Sequence, residues 1–216
     1  MVMLSHMIAL SEILNYRIIP VLVIRNASDA RVVGEALVEG GLPIIEVTLR
    51  TPASWDAIRE LNRVEGLLVG VGSIKTPADI ARAKDEGVAF AVSPGFLPSI
   101  AQEAEKCQLP YLPGVSTPSE VMQALSFGFS VVKWFPAEAL GGISSLRAIA
   151  APFPDLKFVP TGGINQNNLK SYLQEKFIAA CGGSWMVAAP LVESQDRAEI
   201  ARLTKDALDS ISSIGK

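Results

Sequence analysis

The scarcest residue in this chain is histidine. His6 is the only one in 216 residues. A zinc site built on two or three histidines therefore cannot be assembled within one chain, and no metal ligand set is expected. Cysteine is nearly as rare. Cys107 and Cys181 lie far apart with no C-x-x-C spacing, which excludes a disulfide framework or a thiol redox pair. Both are expected as reduced, buried thiols. Charged residues make up only 19% of the chain, the net charge is −3, and lysine and arginine are dispersed. That excludes the basic patch on which nucleic-acid binding depends, so an anionic substrate would need a local positive site. No apolar run reaches the ~18 residues of a membrane span. Residues 1–10 lack a basic region followed by a sustained apolar stretch, so no signal peptide is expected and a cytoplasmic location is.

What the chain does have is a hydrophobic content of 49% in short, recurring runs. The runs are Ile18–Ile24, Ile44–Leu49, Leu67–Val71, Val88–Val92, Pro110–Leu112, Phe129–Phe135, Lys157–Val159 and Phe177–Cys181. Several are almost continuous in Val, Ile, Leu and Phe, as parallel strands covered on both faces are. Each is followed by a helical pattern. Thr51-Pro52, Thr76-Pro77 and Thr117-Pro118 place a hydroxyl at the N-cap and proline in the first turn, and Glu120 adds a capping box to the third. Ser28 is expected to cap an earlier helix that ends at Gly40-Gly41. These units predict one domain over residues 1–216, a single α/β (β/α)8 TIM barrel with an extra N-terminal helix near Ser5–Asn15. An open doubly wound sheet would carry a glycine-rich loop after its first strand, whereas this strand runs into Arg25-Asn26-Ala27-Ser28.

In a barrel, chemistry gathers at the C-terminal ends of the strands. Lys133 sits within Val131-Val132-Lys133-Trp134-Phe135, an apolar strand. Burial disfavours the ammonium form, and a neutral amine can form an imine with a ketone. A lysine at a strand edge reaching into solvent fits the same pattern. Glu46 interrupts another apolar strand, and Arg50 lies at the end of that strand on the same face. Glu46 suits proton transfer and Arg50 suits a carboxylate, while a structural Glu46–Arg50 ion pair is the simpler alternative. Thr161-Gly162-Gly163 follows the seventh run and Gly182-Gly183-Ser184 the eighth. Glycines there let backbone N–H groups approach a phosphate, although glycine also ends strands. Gly70-Val71-Gly72-Ser73 and Ser93-Pro94-Gly95 offer small residues and hydroxyls, or ordinary tight turns.

Glu46-Val47-Thr48-Leu49-Arg50, Ser93-Pro94-Gly95, Phe135-Pro136-Ala137-Glu138, Pro160-Thr161-Gly162-Gly163 and Gly182-Gly183-Ser184-Trp185, in this order, resemble the 2-keto-3-deoxy-6-phosphogluconate (KDPG) aldolases. That family also acts on 4-hydroxy-2-oxoglutarate (KHG). The resemblance extends from about Ile19 to the C-terminal helix. It implies a lyase of carbohydrate metabolism, a homotrimer without metal or organic cofactor. It implies a Schiff base on Lys133 and proton transfer by Glu46. Arg50 and Ser73 would hold the pyruvyl carboxylate, Gly162, Gly163 and Ser184 the phosphate, and Thr161 the sugar hydroxyls. Pro94 and Phe135 are further candidates. So is Arg17, which occurs in relatives that use the galactonate stereoisomer. Ser73 stands where the family usually has threonine, and Trp134 where it has phenylalanine. A galactonate-specific aldolase, a sugar-phosphate isomerase or epimerase, a non-catalytic barrel that binds an acidic metabolite, and a pyridoxal phosphate enzyme are the competing expectations.

Overall fold

The structure, a computed structural model, describes residues 10–214. The helix expected near Ser5–Asn15 is present over Leu10–Leu14, and its earlier part, with His6, lies outside the described residues. The strands are β1 (Ile18–Leu22), β2 (Ile44–Thr48), β3 (Leu68–Gly72), β4 (Phe90–Val92), β5 (Tyr111–Leu112), β6 (Gly114–Val115), β7 (Val131–Trp134), β8 (Lys157–Pro160) and β9 (Cys181–Gly183). All pairings are parallel. One sheet has the order β5-β4-β3-β2-β1-β9, and a second has the order β6-β7-β8. The fold is α/β, with helices returning the chain between strands. β1 and β2 are buried at every position, which accounts for their continuous apolar character.

The eight expected strands emerge as nine segments because the fifth is split at Pro113. Proline has no N–H to give to a ladder. Its carbonyl still accepts from Lys133 N at 2.8 Å, so β5 and β6 follow one another along the same path. At the other side, single bridges join Phe158 to Ile178 and Thr161 to Gly182. The last strand also departs from expectation. It is Cys181–Gly183 rather than Phe177–Cys181, so the glycine pair lies in the strand instead of following it.

Helix starts show which sequence signals were sufficient. Thr76 accepts from Asp79 N, and Asp79 returns the contact in a complete capping box. Thr117 accepts from Glu120 N, but the Glu120 carboxylate reaches one residue further back, to Ser116 N at 2.7 Å. Thr51 does not cap. Its hydroxyl donates to the Ile24 carbonyl, and the helix begins at Ser54, whose own hydroxyl donates to Thr48 O at 2.8 Å. Ser28 does not cap either: it lies within a 3-10 turn, Ala27–Asp29, and the helix Ala30–Glu39 starts after Asp29. Gly41, at φ +86°, ends that helix in the left-handed region. Cys181 is fully buried, while Cys107 is only half-buried, contrary to the expectation for both. No helix among the described residues is long and apolar enough to cross a membrane.

The third strand positions the site through its glycines. A Cβ on Gly70 would lie 2.2 Å from the Phe90 ring, and one on Gly72 would lie 1.9 Å from Glu46 Oε1. The two glycines share a face and leave the volume that Phe90 and the Glu46 carboxylate fill. Gly70→Ala is accordingly expected to destabilise the protein by ~1–3 kcal/mol through overpacking, read as a lower urea midpoint at unchanged slope.

Candidate active site

Lys133 projects from β7 and Glu46 from β2. Their residues are only 5% and 3% exposed, and Lys133 Nζ donates to Glu46 Oε1 at 3.3 Å. Glu46 is the register partner of Gly70, and its carboxylate lies over Gly72, which has no side chain to contest the space. Lys133 lies level with Gly114 on one side and Val159 on the other. Removing both charges from water is costly, so the pair contributes little net stability, and a buried titratable pair beside a cavity marks a candidate site. The alternative Glu46–Arg50 ion pair does not form: among the described residues the Glu46 partner is Lys133. Trp134, the neighbour of Lys133, is 1% exposed, as expected for a packing residue on the other face of the strand.

Arg50 lies just beyond β2 and is exposed. Its Nε donates to Ser73 Oγ at 3.4 Å. Ser73 adopts φ +61°, a left-handed conformation that is uncommon outside glycine and hardest for β-branched residues. A serine holds this position with less crowding than a threonine would. The structure thus brings Arg50 and Ser73 together at the ends of β2 and β3.

A cavity of about 120 Å³ opens at the same end of the strands. Arg50, Phe135, Thr161, the Gly162-Gly163 pair and Ser184 line it. Phe135 links this cavity to the buried pair, because its ring centroid lies 5.3 Å from Lys133 Nζ. Gly162 and Gly163 have φ of +98° and +83°. Their N–H groups donate to no protein acceptor among the described residues, whereas the carbonyls of both are engaged. Such a pair of free N–H groups is suited to an anion. Gly182 and Gly183 have a different use: their missing side chains admit Thr161 Oγ1 and the Trp185 ring. Thr161 is 6% exposed and bridges to Gly182.

Two candidates are not brought to this group. Arg17 precedes β1, at the starting end of the strands, and its Nη2 donates to Leu173 O at 2.9 Å. It borders a cleft with Val131 and Lys157, at the starts of β7 and β8, far along those strands from the cavity. Pro94 packs its carbonyl against Gly114 and is not among the cavity's lining. Three further residues, Val21, Val23 and Ile164, line the cavity without any mark in the sequence. Val21 lies in β1 and Val23 just beyond its end, and an apolar side chain in an apolar run gives no signal of its own. Among the described residues no group of three or more His, Cys, Asp or Glu side chains is placed to hold a metal ion.

Comparison with known proteins agrees with this arrangement. A family model described as KDPG and KHG aldolase matches residues 10–203. The KHG/KDPG aldolase of Escherichia coli K12 is 39% identical over 193 residues, which is 89% of this chain and 91% of that protein. The crystal structure of 2-keto-3-deoxy-6-phospho-gluconate aldolase from Zymomonas mobilis ATCC 29191 superposes with a TM-score of 0.90 at 36% identity, covering 97% of this chain and 98% of that one. KDPG aldolase from Legionella pneumophila, crystallised with pyruvate captured at low pH as a covalent carbinolamine, gives a TM-score of 0.88 at 38% identity over 91% of this chain and 97% of that one. With the family model spanning most of its length and relatives of this identity aligned nearly end to end, this chain belongs to the KDPG and KHG aldolase family.

Proposed function

We propose that this protein is a Schiff-base lyase that cleaves 2-keto-3-deoxy-6-phosphogluconate to pyruvate and glyceraldehyde 3-phosphate, and 4-hydroxy-2-oxoglutarate to pyruvate and glyoxylate. The observation that carries this reading is the buried Lys133–Glu46 contact at 3.3 Å. A sugar-phosphate isomerase or epimerase would use the glycine loops but has no need of an inward lysine beside a carboxylate.

Glu46 takes a proton from Nζ, and the free amine attacks the C2 ketone. Glu46 gives that proton to the departing C2 hydroxyl, and loss of water leaves a protonated imine and an ionised Glu46. The C3–C4 bond then breaks, its electrons move to the imine nitrogen as an enamine forms, and the C4 hydroxyl proton passes to Glu46. The aldehyde half leaves. Glu46 returns a proton to C3, and water hydrolyses the imine to release pyruvate and regenerate Lys133. The imine nitrogen is the electron sink, so the sequence of steps requires neither metal nor organic cofactor, and full activity in excess EDTA is expected. Arg50 and Ser73 hold the pyruvyl carboxylate, Thr161 lies toward the sugar hydroxyls, and the Gly162 and Gly163 N–H groups with Ser184 bind the phosphate.

The same reading makes the two sheets one closed (β/α)8 barrel forming a single domain over residues 1–216. It is supported by the continuity through Pro113 and the Phe158–Ile178 and Thr161–Gly182 bridges. It also makes the protein cytoplasmic and a homotrimer, and light scattering tests the trimer directly.

The test of the activity is a substrate panel in a lactate-dehydrogenase-coupled assay for pyruvate. Highest kcat/KM on the phosphorylated gluconate derivative is expected. A preference for the galactonate derivative would reassign the sugar, and no pyruvate from any of the three acids would end the proposal. In the same assay Ser73→Ala should raise KM by ~5–10-fold with little change in kcat, as loss of one neutral hydrogen bond to a substrate or its arginine does.

A further inference from the structure

Glu138 ends the Phe135-Pro136-Ala137-Glu138 segment that leaves β7 just after the lysine, and it takes no part in the chemistry above. Its backbone continues the pairing beyond the strand ends. Ala137 N donates to Thr161 O at 2.8 Å and Glu138 N to Gly162 O at 3.0 Å. The Glu138 side chain then runs across the next glycine: a Cβ on Gly163 would lie 2.5 Å from both Glu138 Cβ and Cγ. Beyond that point the carboxylate accepts a hydrogen bond from the Tyr172 hydroxyl. Tyr172 is 1% exposed and belongs to the helix Leu169–Leu173, which the same glycine loop leads into.

The loop is therefore held from two sides. Asn165 and Asn168 each donate a side-chain N–H to Gly163 O at 3.1 Å. Glu138 holds the opposite side through its main chain and its stem. Two residues in the left-handed region with free N–H groups form an anion site only while their peptide planes keep one orientation. The Tyr172 bond also directs the Glu138 charge toward the helix. A released carboxylate two bonds from the Gly163 contact would repel a phosphate dianion. Burial, followed by the bond to Glu138 and its charge, holds the Tyr172 hydroxyl well above the ordinary tyrosine range, so it remains a donor at any working pH.

We propose that Glu138, anchored by Tyr172, is a positioning residue that sets the Gly162 and Gly163 N–H groups for the substrate phosphate. It rests on the phosphate role given to that loop above. The two substrates of the family differ in the feature concerned, since only one carries a phosphate, so specificity becomes the readout.

The experiment measures kcat and KM for both substrates with wild type, Tyr172→Phe, Glu138→Ala and Glu138→Gln. Tyr172→Phe and Glu138→Ala should raise KM for the phosphorylated acid by ~5–20-fold with kcat within ~2-fold, and leave KM for 4-hydroxy-2-oxoglutarate within ~2-fold. Glu138→Gln keeps an oxygen acceptor for the tyrosine and should lie close to wild type. Equal losses on both substrates would show a general packing role and overturn the proposal, as would unchanged KM in both variants. Glu138 is exposed, so Glu138→Ala remains a fair test if Tyr172→Phe folds poorly. Inorganic phosphate should compete with the phosphorylated acid in the wild type. Failure to compete removes the loop's phosphate role itself, and is distinguishable from a failure confined to the variants.

Discussion

Lys133→Met lowers aldol cleavage by ~10⁴-fold or more, the scale on which removal of a covalent nucleophile is felt. Methionine keeps most of the side-chain volume but has no amine to form the imine, so the C3–C4 electrons have no acceptor. A control is needed because the same substitution leaves Glu46 buried without its partner. Breaking a buried ion pair from one side costs about 3–5 kcal/mol, or forces the carboxyl to take up a proton. Lys133→Met combined with Glu46→Gln removes both charges. It should recover much of the lost thermal stability and none of the activity. If activity returned with stability, Lys133 would be a structural cation and not the nucleophile.

Glu46→Gln separates the steps. Its amide cannot take the proton from Nζ or from the C4 hydroxyl, and positioned acid–base catalysis is worth ~10²–10⁴ in rate, so kcat should fall by that factor. Imine formation should persist, because the amine remains and general base help from solvent is slow but available. Borohydride with pyruvate should therefore still label Glu46→Gln, at a reduced rate, while turnover is nearly lost. KM for the phosphorylated acid should change little, since Arg50, Ser73 and the glycine loop are untouched. A kcat within a few-fold of wild type would remove Glu46 from the proton path.

Which parts of this were legible in the sequence depended on whether one residue carried its own signal. Glu46 and Lys133 did, because a charge within an apolar strand is conspicuous and must be explained. Thr76 and Thr117 did, because the hydroxyl, the following proline and the acid three residues later act within a single turn. Thr51 has the hydroxyl and the proline but Ser54 in place of the acid, and it misled: its hydroxyl is drawn to the carbonyl of Ile24, a partner set by the neighbouring strand. Gly182-Gly183 read as the turn after a strand, although each lies within it and makes room for a side chain distant or adjacent in sequence. Arg17 resembled a ligand residue by its occurrence in relatives, but its place before β1 puts it at the starting end of the strands. The Glu138–Tyr172 bond spans 34 residues with no periodicity to announce it. Tertiary partners, unlike caps and strand patterns, are legible only once the chain is folded.

The central claim is that the amine of Lys133, held against Glu46, is the atom that bonds to substrate. Borohydride reduction in the presence of pyruvate, followed by peptide mass analysis, tests it most directly. The account predicts loss of activity together with a reduced pyruvyl adduct on the peptide containing Lys133 and on no other lysine. Full activity after that treatment, or an adduct confined to a different lysine, would contradict it.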